Sequence, residues 1–193
     1  MITGLRPITR KNLQLDAGAI YKNYNPASDT PETAAAKLIG ATVGGATFSA
    51  VPERRQISVD GVKGPTKGFE AFDSWTITLA ATIKEVTVDS IKLALGAATS
   101  AALTASPANY TKIEIKELAD ADYINNITWI GRISGSNDPI MIVLKNALNL
   151  NGFSLQAQDK NEGSVPVVFT AHYDSSDLSA FPVEIYMPNV STS

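Results

Sequence analysis

The segment SWTITLAATIKE, residues 74–85, alternates over its whole length. Trp75, Ile77, Leu79, Ala81 and Ile83 fall on one face, and Thr76, Thr78, Thr82 and Lys84 on the other. A period of two marks a strand with one buried and one polar face. Just before it runs VDGVKGPTKGFEAFD, residues 59–73, which starts as strand and then becomes rich in Gly, Pro and Lys. Compact domains rarely keep an unstructured connection that long unless the loop has a function. A long two-faced strand behind a long loop sets the expectation of a mostly β chain, and the rest of the sequence agrees with it.

Alternation recurs at Leu13, Leu15, Ala17, Ala19 and Tyr21, and at Ile113 and Ile115 set against Lys112, Glu114 and Lys116. It recurs again at Ile127, Trp129 and Ile133, and at Val167, Phe169, Ala171 and Tyr173. PIMIVLK, residues 139–145, is apolar on both faces and predicts a central strand. Turn residues near Asn149 and Asn151 predict a hairpin from it into GFSLQAQ. One helix is expected, in TVDSIKLALG, residues 87–96. Thr87 suits the N-cap, Asp89 the first turn and Gly96 the end. Val88, Ile91 and Leu95 form its apolar stripe. One short helix on many strands predicts a β-sandwich or partial barrel. Residues 23–33, 61–73 and 96–109 are expected to be irregular. No repeat or linker divides the chain, so residues 1–193 are taken as one domain with an N-terminal arm over about 1–12.

Composition limits function. The chain is 44% hydrophobic, enough for a sizeable core, and 18% charged, against roughly 25% in an average soluble domain. Either partners cover part of the surface, or it is built from the plentiful Thr, Ser and Asn. A net charge of −3 argues against a protein that grips nucleic acid, because each phosphate contact needs a cation. Cys is absent and His172 is the one histidine, which excludes disulfides, thiolate metal sites and multi-histidine sites within one subunit. MITGLRPITRKNLQLDAG has no apolar stretch of signal-peptide length, and no apolar run is long enough to span a membrane. The chain is expected to be made in the cytoplasm and to stay soluble. Sequons at Asn109, Asn126 and Asn189 are then chance matches.

The motifs that suggest chemistry fail on context. GVKGPTKG lacks Lys then Ser or Thr after its last Gly, and a strand follows it, so it is not a phosphate loop. GATVGG, residues 40–45, precedes a strand, so its glycines suit a turn or bulge. His172 has no nucleophile elbow to serve, and a lone strand histidine is usually structural. Asp120 and Asp122 sit in ELADADY, a solvated turn. Arg54 and Arg55 make a small basic spot, either a solvated strand end or one half of an ion pair across a subunit boundary. No catalytic, metal or cofactor site emerges. What emerges is a β domain whose sheet edges must be paired or covered, for example by identical copies in a closed ring.

Residues 38–85, LIGATVGGATFSAVPERRQISVDGVKGPTKGFEAFDSWTITLAATIKE, with the capped helix after them, resemble the tail tube (major tail) proteins of long-tailed bacteriophages. The pattern is a Gly-rich turn, a strand, R-x-I-x-V-D-G, a Lys/Gly loop, a long alternating strand and one helix. SVPVVFTAHYDSSDLSAFPVEIYMP, residues 164–188, looks like that family's closing strand pair. The resemblance implies a structural virion protein, assembled in the host cytoplasm and located in the tail. Hexameric rings would stack into a tube around a tape-measure protein, and double-stranded DNA would later pass through without specific binding. With about four inner strands from each subunit, a tilt of about 40° and a spacing of about 4.8 Å, the bore is roughly 48 Å across its backbone. Loop 61–73 would be an inter-ring arm, with Val62, Lys63, Gly64, Pro65, Thr66, Lys67 and Gly68 at its tip and the two lysines meeting acidic groups of the next ring. The N-terminal arm and loop 23–33 would add contacts. Thr76, Thr78, Thr82 and Lys84 would line the lumen, and an acidic ring would let DNA slide. The alternatives are the tube of a contractile phage-tail-like particle, such as a bacteriocin or secretion tube, and a baseplate or adhesion β-sandwich that binds a ligand.

Overall fold

The computed structural model describes residues 4–190, so the first residues of the expected N-terminal arm, and Ser191 of the last sequon, lie outside the described residues. The chain is mostly β, with one α-helix and two sheets that share a strand and do not close into a barrel. Its strands are β1 (Ala19–Lys22), β2 (Thr42–Gln56), β3 (Glu70–Ile83), β4 (Ala98–Ala102), β5 (Thr111–Ile115), β6 (Ile124–Gly131), β7 (Ile140–Asn149), β8 (Gln156–Gln158), β9 (Asn161–Thr170) and β10 (Val183–Tyr186). Helix α1 is Val88–Leu95.

PIMIVLK is indeed central. β7 pairs with β6 along one edge, while its other edge is divided between β10, at residues 141–144, and β9, at residues 148–149. The change of partner falls at Asn146, which adopts φ 47°, a left-handed conformation that asparagine tolerates. This bend lets one strand serve two sheets, β1-β6-β7-β10 and β2-β3-β9-β7. Their facing sides make the core, with Ile20, Ile127, Leu144 and Ala147 from the first and Ile77, Leu79, Ile83, Val165, Val167 and Phe169 from the second. The alternation read in β3 and β9 is therefore that of strands with one buried face. Trp75 and Tyr173, at the ends of those faces, are only half-buried.

Several expectations are corrected. β7 does not form a hairpin with the segment after it: β8 pairs with β9. The closing strands β9 and β10 do not pair with each other, because each takes a different part of β7. Only the end of the 13–21 alternation is strand, with Ile20 and Tyr21 both buried, and Leu13 and Leu15 are exposed. β6 is buried on both sides: Thr128 and Ile130 are as hidden as Ile127. Residues 98–102 are not loop but the partner of β5, in a separate two-stranded ribbon whose Ile115 is 76% exposed.

Helix α1 begins and ends at the expected caps. Thr87 Oγ1 accepts from the Ser90 amide at 3.0 Å, and Ser90 Oγ accepts from the Thr87 amide at 2.8 Å. Gly96 closes it at φ 76°. The buried face, however, is Ser90 and Ala94 with Leu93 beside them, and the stripe Val88, Ile91, Leu95 is only half-covered. Buried Asn149 fixes the helix to the sheet, donating to the Ala94 and Gly152 carbonyls and accepting from the Val168 amide. Among the described residues no helix is long and apolar enough to cross a membrane.

Candidate assembly surface

β2 is the outermost strand of its sheet, and among the described residues no strand pairs with its outer edge. It is also the longest strand, at 15 residues. Two bulges shape it. Gly44 and Gly45, both at positive φ, insert two residues between Val43, opposite Thr82, and Ala46, opposite Ala81. The glycines flagged in GATVGG thus make a bulge, as expected. At the other end Asp73 of β3 is extra, since Glu53 faces Ser74 while Arg54 faces Phe72.

From about Val51 outward the β2–β3 hairpin leaves the core. The irregular stretch is 57–69, shifted from the expected 61–73 because residues 70–73 belong to β3. Residues 53–65 and 67–70 are exposed, and Thr66 is half-buried. The structure thus brings Val62, Lys63, Gly64, Pro65, Thr66, Lys67 and Gly68 together at the tip of a projecting arm. Apolar residues run along it: Val51, Ile57, Val59, Val62 and Phe69, with Phe72 61% exposed. At its root Phe72 and Trp75 stack with centroids 5.7 Å apart, and Phe181 meets both Trp75 (6.1 Å, edge-on) and Tyr173 (6.0 Å). Residues three apart should point to opposite faces of a strand. The Asp73 bulge shifts the phase and places both rings on one side. Sequence reading missed this aromatic cluster because no alternation signals it. Of these rings Phe72 and Phe181 are more than half exposed, and Trp75 and Tyr173 are half-buried.

The two arginines separate. Arg55 pairs within the chain with Asp73 across the hairpin, Nε to Oδ2 at 3.0 Å, while Arg54 is exposed with no acidic partner among the described residues. The face of β3 opposite the core carries Thr76, exposed, and Thr78, Thr82 and Lys84, half-buried. Thr78 lies between Ser49 of β2 and Thr170 of β9; Ala80 lies between Thr47 and Val168; Thr82 lies between Val43 and Pro166. This face is rich in hydroxyls and carries few charges. Its one cation, Lys84, reaches Glu162 at 3.6 Å, and at the far end Ser74 donates to Glu53 at 2.9 Å.

His172 occupies the seam where β7 changes sheets. Its Nδ1 lies 3.0 Å from the Asn146 carbonyl, its carbonyl accepts from Asn146 Nδ2, and its ring stands edge-on to Tyr123 at 5.1 Å. Asp122 is no freely solvated carboxylate. It accepts from Lys116 and from the Ala119 amide, which hold it below the usual carboxylate range. Loop 23–33 carries turns without strands and is tied by Asp29, which accepts from Lys37 and from the Asn25 amide at 2.8 Å. No group of three or more potential metal ligands occurs among the described residues. No protein-family model and no curated protein matches the chain.

Proposed function

We propose that this chain is the repeating subunit of a hollow protein tube, of the tail-tube kind built by long-tailed bacteriophages. Copies join through sheet edges into hexameric rings, the rings stack, and the tube conducts double-stranded DNA without binding it specifically. The observation that carries this reading is β2: a 15-residue strand whose outer edge no strand pairs with among the described residues, and which runs on into an exposed arm outside the core. A free edge of that length is an aggregation hazard in a monomer and a joint in an assembly. The threonine-rich face suits a bore. A wall without unpaired cations offers phosphates nothing to displace counterions with, so passage costs little. Tape-measure and other tail proteins are the remaining partners this reading implies, with the virion tail as its location.

Negative-stain microscopy of the purified protein at high concentration tests this. Hollow tubes with a regular axial repeat are expected. Strictly monodisperse monomers under every condition would contradict it.

A further inference from the structure

The arm tip combines apolar side chains with unpaired cations. Val62 and Phe69 are exposed, and Lys63 and Lys67 have no acidic partner among the described residues. A groove of matching character, about 620 Å³, lies between residues 16–19 and the turn 30–32. Tyr21, Pro31 and Pro139 contribute its apolar lining, and Asp16, Glu32 and Arg132 its charges. Its floor is fixed, because Trp129 Nε1 donates to the Ala17 carbonyl at 3.0 Å.

Position decides whose arm can enter. Ala17 stands beside the start of β2, where a Cβ built on Gly45 would be 3.8 Å from the Ala17 Cβ. The arm leaves β2 at its opposite end, Gln56. The strand between them, at roughly 3.3 Å per residue, separates groove from arm root by about 35 Å. The arm therefore points away from the groove of its own chain. A tip and a groove at opposite ends of one strand make a heterologous contact, which repeats indefinitely when it does not close.

We propose that the arm tip of one copy seats in the 16–19/30–32 groove of the next, with Lys63 and Lys67 against Asp16 and Glu32. This rests on reading the chain as a self-stacking subunit, and it names the surface that receives the arm.

The test uses the full chain. Lys63→Glu with Lys67→Glu raises the concentration needed for sedimentable polymer by roughly tenfold, and Asp16→Lys with Glu32→Lys does the same. Combining all four reversals restores polymerisation. Because the chain has no cysteine, Lys63→Cys with Glu32→Cys gives a reducible ladder of multimers on oxidation. If the wild type polymerises but no ladder forms, or the fourfold variant is no better than the double ones, the arm–groove pairing is wrong and the tube reading stands. If the wild type never polymerises, both fall.

Discussion

Gly131 ends β6 directly against an indole, and a Cβ there would lie 2.2 Å from Cη2 of Trp129. Trp129 cannot yield freely, because its Nε1 holds the Ala17 carbonyl. Gly131→Ala is therefore expected to cost about 1–3 kcal/mol through overpacking, read as a lower urea midpoint; an unchanged midpoint would show that the indole has room to move. At the helix start, Thr87→Ala removes the acceptor for the Ser90 amide and should cost about 1 kcal/mol in the same assay. That cap was legible in the sequence because capping is local. The burial of Ser90 was not, since it follows from the reciprocal cap satisfying its hydroxyl, which lets a polar residue displace the apolar stripe from the core. The carboxylates give a pH signature. Asp29 is held low first by Lys37 and then by the Asn25 amide, Asp122 by Lys116 and then the Ala119 amide, and Glu184 by Lys145 and then Tyr186. Each binds its proton more weakly folded than unfolded. The stability they contribute is complete above the unfolded values, about 4, and is lost as pH falls through the lower folded ones. The urea midpoint should fall between pH 5 and pH 2.5; a flat profile would show that these contacts are not kept in solution.

Among the elements, the arm matters most for the proposed assembly. Deleting residues 64–67 removes tip residues that are exposed apart from half-buried Thr66, and no core contact, so the subunit should keep its far-UV circular dichroism and its melting temperature while losing polymerisation. Tubes that form unimpaired would remove the arm from assembly. The arm was legible because Gly, Pro and Lys interrupt a strong alternation on its C-terminal side. β3 was legible for a related reason: one of its faces is buried throughout, so its side chains record the geometry. β6 is buried on both faces over its second half, so the one-faced alternation read at Ile127, Trp129 and Ile133 missed the burial of Thr128 and Ile130. β4 is Ala, Thr and Ser in a ribbon away from the core, and nothing in its composition separates strand from loop. The partner change of β7 at Asn146 and the bulge at Asp73 are long-range effects of sheet pairing. The receiving groove was invisible for the same reason, since it brings together segments around residues 17, 31, 131 and 139.

The whole molecule is a sandwich with one long edge that no strand pairs with among the described residues. The sheet β1-β6-β7-β10 ends in strands of four residues, short enough to be harmless, whereas the other ends in β2. Long edges in monomeric proteins are usually interrupted by charge, proline or cover. From Ala46 to Val51 β2 carries no charge, a stretch bounded by the Gly44–Gly45 bulge on one side and by Pro52 and Glu53 on the other. In the proposed tube the edge would join neighbours sideways and the arm would join them lengthwise. Amide hydrogen exchange along residues 46–56, compared between dilute subunit and assembled polymer, is the decisive measurement. The outward-facing amides of β2 are expected to exchange fast in the dilute subunit and to become protected on assembly. Protection already complete in the dilute subunit, or unchanged in the polymer, would contradict joining through this edge.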